Sequence, residues 1–202
     1  MKFVLSLTIC FAVFFADAQT TQRLWTETDR KFLLENLKRS KDELIKETEN
    51  LTDAQWNFKK SPERWSIRQV VEHIGIWELL LQREITLAYM GGPKPELAPA
   101  AVPDSITMRS LNDTAAHIAT EYTKPFTYSV PMGLSSGKDN MIRFLKMRNE
   151  SIDFLTAATE DLRVYFGRPG RSIHYVYLST YGHTERHLRQ IVKIKRHPGY
   201  PR

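Results

Sequence analysis

The chain has 202 residues, 42% of them hydrophobic, which suits one domain with a substantial core and leaves too little length for two. Its 29 Lys and Arg exceed its 23 Asp and Glu, giving a formal net charge of +6. The densest basic cluster, Lys193, Lys195 and Arg196, lies near the carboxyl end of a predicted helix, where cations are favourable, so composition argues against a nucleic-acid-binding protein.

The first 18 residues have the layout of a cleavable secretory signal. Lys2 precedes an apolar run over 3–15, and Ala16-Asp17-Ala18 offers a cleavage site. The run is shorter than the roughly 20 residues that span a bilayer, so a retained interfacial anchor is the alternative and lipidation at the mid-run Cys10 is disfavoured. We therefore predict an exported protein, periplasmic or secreted after cleavage near Ala18, with one domain over 19–202 and no stable membrane anchor.

Removal of the signal also removes Cys10, the only cysteine in the sequence. The mature chain then has no disulfide, thiol nucleophile or thiolate ligand. A metal site in this protein would have to use histidine, carboxylate or water.

Apolar residues recur at helical spacing in the first half of the chain. The pattern predicts helix one over 26–49 and a short extra turn over 51–58. Helix two is predicted over 67–90, because Ser66 and Gln69 form a capping-box pattern at its start.

The next segment is a connection of more than 40 residues. Gly91-Gly92-Pro93 ends helix two, and the prolines up to Pro103 do not permit a regular helix. A further helix over 104–123 and an extended stretch over 125–131 are predicted. Connections of this length are often functional, so the segment would cover a site or cross the bundle, or else serve only as a strap.

Two more long helices follow. Helix three begins after a cap at Ser135 or Ser136 and ends near Ala158. Glycines and a proline over 167–170 break the chain, and helix four runs from Ser172 to a point before Pro198. The predicted fold is all-α, a four-helix bundle in which the short loops allow antiparallel neighbours and the long connection allows a crossover between helices two and three.

Three of the six histidines lie on inward helical stripes: His73 on helix two, and His183 and His187 on helix four. His183 and His187 are four residues apart, so their imidazoles stand on one helix face. Neutral imidazole binds divalent metals, and His73 would be the third ligand. A satisfied core histidine is the alternative for each of them. The other three are His117, His174 and His197.

The histidine pair does not have the form used by zinc peptidases. In His-Glu-x-x-His, a glutamate next to the first histidine acts as general base. Thr184 takes that place here, and Glu185 lies about 200° around the helix from His183. Residues 133–137 do not form a nucleophile elbow either, because no strand precedes them.

Two segments together resemble the signatures of the DinB-like superfamily. One is Trp65-Ser-Ile-Arg-Gln-Val-Val-Glu-His73-Ile74, with Glu78 soon after it; the other is Gly182-His183-Thr-Glu-Arg-His187-Leu-Arg-Gln190-Ile191. The resemblance covers about 25–200. It implies a four-helix bundle with a crossover between helices two and three.

The resemblance also implies a divalent metal held by three histidines, which correspond to His73, His183 and His187. Relatives include thiol S-transferases that use bacillithiol, mycothiol or glutathione, isomerases that use such thiols, and many proteins assigned only as metal-dependent hydrolases. An export signal sets this chain apart, because small thiol pools are mainly cytosolic.

We therefore expect a metal-dependent enzyme of hydrolase or transferase type that acts on an unspecified small molecule. Zinc or nickel is the expected metal. Glu78 is the candidate acid or base, although its position favours a solvated carboxylate. Gln190 and Tyr181 are candidates of the same weight for a role beside the metal. The alternatives are a secreted bundle that binds metal or ligand without turnover and a structural bundle with satisfied histidines; a homodimer is left open.

Overall fold

Four long helices account for most of the described residues, 23–112 and 129–202, of this computed structural model. The predicted signal, His117 and the second part of the helix predicted over 104–123 lie outside the described residues. The long helices are α1 (Glu27–Thr48), α3 (Ile67–Met90), α5 (Gly137–Ala157) and α6 (Ile173–Lys195). They correspond to predicted helices one to four and confirm the all-α bundle.

Shorter elements fill the connections. Within the described ranges they are α2 (Asp53–Asn57), a 3-10 helix (Pro95–Ala100), α4 (Asp104–Asn112), and a small antiparallel hairpin of β1 (Phe166–Arg168) and β2 (Arg171–Ser172). The sequence predicted only a break at the hairpin, where Gly170 has a φ of +79° that favours glycine. Among the described helices, none combines the length and low polarity that a membrane span requires.

Side-chain caps set where the helices begin. Ser66 and Gln69 form the predicted capping box at α3, and Ser136 and Ser172 cap α5 and α6. These caps satisfy backbone N–H groups that have no partner within the helix, and so they fix the residue at which each helix begins.

The long crossover makes two neighbouring helices parallel. Arg68 of α3 accepts a hydrogen bond at its carbonyl oxygen from Asn140 of α5, and further along both helices Glu78 pairs with Arg148. Parallel neighbours need a connection that returns along the bundle, which is why the segment between α3 and α5 is long.

Helices joined by the shorter connections lie diagonally across the bundle. α1 and α3 each pack on both α5 and α6. Phe32 of α1 contacts Tyr181 of α6, and further along both helices Arg39 pairs with Glu185, so α1 and α6 are also parallel neighbours. The sequence left this point open: its shorter loops allow adjacent antiparallel helices, and the structure has a different arrangement. The reason is that amphipathic stripes fix the buried face of a helix but not which helix it packs against.

A polar layer divides the core into two apolar clusters. Arg148 of α5 is fully buried and donates to both carboxylate oxygens of Glu78 on α3. It also donates to Leu37 O (2.9 Å) and Ser40 Oγ (2.7 Å) of α1, and to Thr184 Oγ1 (2.8 Å) of α6. The five N–H donors of the guanidinium are thus all used, and one side chain connects the four long helices.

Candidate metal centre

His73, His183 and His187 meet inside the bundle, where α3 and α6 run antiparallel. Their ring centroids are 5.1 Å apart for His73 and His183, 4.7 Å for His73 and His187, and 4.5 Å for His183 and His187. One nitrogen from each ring lies within 4.8 Å of the others. The structure therefore brings together the three histidines that the sequence singled out.

The nitrogen positions fit a shared divalent ion. Nε2 of His187 lies 3.1 Å from Nε2 of His183. Two nitrogens that are each about 2.0–2.1 Å from one metal stand about this far apart when the angle between them is near 100°. Three imidazoles without a carboxylate are also a donor set that metal sites use.

Hydrogen bonds on the far side of two rings fix which nitrogen faces the centre. Nδ1 of His73 lies 2.7 Å from Ser129 O, and because a carbonyl only accepts, this nitrogen carries the proton. Nδ1 of His187 lies 2.8 Å from Gln190 Oε1 in the same way. In both residues the lone pair of Nε2 is left for the centre. Partners of this kind orient metal-binding histidines and set their tautomer.

Burial keeps the three imidazoles neutral. It lowers the pKa of His73 to about 4 and, with the neighbouring His73, the pKa of His187 to about 3. The pKa of His183 is lowered well below its ordinary value, mainly by burial and then by the two other histidines. At neutral pH all three are in the form that binds metal.

Two tryptophans line the centre. The Trp65 ring lies 4.8 Å from the His73 ring, and the Trp77 ring lies 5.4 Å from the His183 ring, both measured between centroids. Apolar walls lower the local dielectric and so strengthen electrostatic interactions at the site. The sequence analysis gave neither residue a role at the site, although Trp77 follows His73 by four residues and so shares its helix face.

Glu78 is buried, with 3% of its surface exposed, and both of its oxygens accept from Arg148. The expectation of a solvated carboxylate was wrong, because it considered α3 alone and not the guanidinium that α5 places opposite. An acid or base role for Glu78 stays a prediction.

Tyr181 and Gln190 have different surroundings. Gln190 holds His187, whereas the hydroxyl of Tyr181 lies 2.9 Å from Met108 Sδ of α4 and its ring packs edge-on against Phe32 of α1. Burial raises the pKa of Tyr181 to about 12, so this phenol stays protonated at neutral pH.

The crossover packs beside the centre. Gly182 precedes His183, and a Cβ at Gly182 would stand 2.4 Å from Leu111 Cδ1, so α4 approaches α6 here as only glycine permits. Arg186 and Arg189 donate to the carbonyls of Ser110 (2.7 Å) and Leu111 (2.9 Å) at the carboxyl end of α4. Together with Ser129, this contact agrees with the prediction that the long connection covers a site.

A second group of potential ligands, Asp29, Asp104 and His174, lies at the other end of α6. Nη2 of Arg163 is 2.9 Å from Asp29 Oδ1, 2.7 Å from Asp104 Oδ2 and 2.9 Å from His174 Nε2. A guanidinium therefore already occupies the position between these three groups, and we assign no metal there.

Comparisons with known proteins agree with this architecture. A family model described as the DinB superfamily matches residues 36–191. The structure resembles that of YfiT from Bacillus subtilis, which is described as a probable metal-dependent hydrolase with an unusual four-helix bundle topology. The two share 12% sequence identity, with 88% of this chain and 91% of that chain covered and a TM-score of 0.52, so this likeness concerns the fold alone. No curated protein matches the sequence significantly.

Proposed function

The chain belongs to the DinB superfamily, and we propose that it is a metal-dependent enzyme, of hydrolase or transferase type, that holds one divalent ion through His73, His183 and His187. The observation that carries this proposal is the convergence of three neutral imidazoles within 4.8 Å of one another. The hydrogen bonds that His73 and His187 donate to Ser129 O and Gln190 Oε1 add to it, because they turn Nε2 of both rings toward the same point.

A divalent ion in this site would supply Lewis acidity toward an oxygen or sulfur atom of the substrate, since three protein ligands leave coordination positions open. The protein's own groups have separate tasks. Ser129 and Gln190 fix the ring orientations, and Trp65 and Trp77 pack against His73 and His183. Zinc or nickel is the proposed occupant, although nitrogen ligands also suit copper and iron.

Export is part of the same proposal. It rests on the apolar run over 3–15 and the small residues before Gln19. An exported enzyme works away from the cytosolic thiol pools, which favours a hydrolase over a thiol transferase. The substrate is proposed to be a small molecule.

A bundle that binds metal without turnover is the second candidate. One observation favours it. Glu78, the candidate acid or base, has both carboxylate oxygens engaged by Arg148. A carboxylate held in this way is poorly placed to transfer protons during a reaction.

An activity screen tests the proposed enzyme. We would strip the untagged protein with a chelator, reload it with zinc or nickel, and assay esters, amides and phosphoesters with and without glutathione, bacillithiol or mycothiol. We expect turnover only after reloading, and none with His73→Ala. Turnover that needs an added thiol identifies a transferase, and turnover without one a hydrolase. Equal activity of the stripped and reloaded protein would contradict metal dependence, and bound metal without any turnover would favour the binding bundle.

A further inference from the structure

The crossover is tied to α3 by a residue next to the candidate ligand His73. Glu72 accepts a hydrogen bond from Met132 N at Oε1 (2.9 Å) and another from Gly133 N at Oε2 (2.8 Å). Hydrogen bonds from backbone N–H groups to a carboxylate are stronger than those between neutral groups. One side chain thus holds two consecutive peptide groups of the crossover.

The same short segment, residues 129–133, holds His73. We call it the return strap, because it leads back to α5. Its first residue, Ser129, is fully buried and offers its carbonyl oxygen to His73 Nδ1 at 2.7 Å. Its later residue Met132 is 74% exposed. The strap therefore runs from the metal centre to the surface, and Glu72 anchors its outer end.

The outer end of the strap has a backbone conformation that favours glycine. Gly133 has a φ of +71°, which glycine adopts at little cost and other residues adopt with strain. Gly133 is also one of the two residues whose N–H donates to Glu72, so the left-handed conformation and the anchor meet at one residue. A change at either Glu72 or Gly133 would therefore loosen the outer end of the strap without touching a histidine.

We propose that Glu72 is a positioning residue for the metal centre: it fixes the return strap so that Ser129 O holds Nδ1–H of His73 and Nε2 of His73 faces the ion. This inference rests on the proposed function, since it concerns the same three-histidine site. Without the anchor, the Ser129 carbonyl and the His73 ring would sample other orientations, and metal affinity would fall.

Zinc affinity of Glu72 variants tests the inference. We expect Glu72→Ala to bind zinc about 10- to 100-fold more weakly in competition with a chromophoric chelator, the range typical for loss of an outer partner of a metal ligand. Glu72→Gln keeps one acceptor oxygen and should recover part of the affinity. Cobalt(II) loading gives a second readout, because a changed His73 orientation alters the visible spectrum of the bound ion. Glu49→Ala, an exposed carboxylate at the end of α1, is the control and should leave affinity and spectrum unchanged.

Two matched glycine variants test the role of the strap without changing Glu72. Gly92 has a φ of +73°, nearly the same as Gly133, but lies at the far end of α3. We expect Gly133→Ala to weaken zinc binding as Glu72→Ala does, and Gly92→Ala to introduce the same backbone strain with wild-type zinc affinity.

The outcomes separate the inference from the function on which it rests. Wild-type zinc affinity in Glu72→Ala and Gly133→Ala would overturn the positioning role. So would equal losses in Gly133→Ala and Gly92→Ala, because the effect would then come from general strain. A wild-type protein that binds no zinc, nickel or cobalt would instead contradict the proposed function itself.

Discussion

Replacing Arg148 with methionine should lower the free energy of unfolding by about 3–5 kcal/mol, the cost of breaking a buried ion pair by removing one partner. The Glu78 carboxylate would be left buried without its cation, and the acceptors on Ser40 and Thr184 would lose their donor. For a chain of this size, the melting temperature should fall by about 6–20 °C. Denaturant unfolding and calorimetry of the metal-free protein measure both quantities.

A control and a double variant show whether the loss of stability comes from the unpaired charge of Glu78 or from the lost hydrogen bonds between helices. Arg143→Met lies on the exposed face of the same helix and should change stability by less than about 0.5 kcal/mol. Glu78→Leu combined with Arg148→Met removes both charges and should be more stable than Arg148→Met alone. Equal stability of Arg148→Met and Arg143→Met would contradict the role given to the polar layer.

Loss of one candidate ligand should have the largest effect on metal binding. We expect His183→Ala and His73→Ala each to weaken zinc binding by more than the roughly 10- to 100-fold that an outer partner contributes. The reason is that each variant removes a nitrogen from the centre itself. Isothermal titration with zinc measures the affinity, and a melt of the metal-free variant checks that the bundle is intact.

His197→Ala is the control for this pair, because His197 lies outside the centre and its ring packs at a tilt against Phe58. It should bind zinc like the wild type. If His183→Ala and His73→Ala also bind like the wild type, the histidines are satisfied core residues and the metal centre is wrong.

Local structure could be read from the sequence where a cap and a stop signal both occur. For α3, Ser66 with Gln69 marks the start and Gly91-Gly92-Pro93 the end, and the observed Ile67–Met90 has the predicted bounds. The histidines were found because helical spacing puts them on inward faces. The arrangement of the helices was not available in this way, since periodicity carries no information about which helix packs where.

Contacts that cross between helices were missed for a related reason. Arg148 lies four residues after Phe144 and four before Ile152, on the apolar stripe of α5, and a charged residue in that position signals a buried partner. The partner, Glu78, is on another helix. Ser129 acts through its backbone carbonyl, so its residue type gives no sign of this role. Helical spacing places Glu72 on the outer side of its helix but does not show that it contacts the strap.

Anomalous diffraction at a metal absorption edge, from crystals of untagged protein loaded with zinc, tests the central claim most directly. We predict one strong peak about 2.0–2.1 Å from Nε2 of His73, His183 and His187. A crystal in which these three side chains are ordered and no peak lies between them would contradict the metal centre.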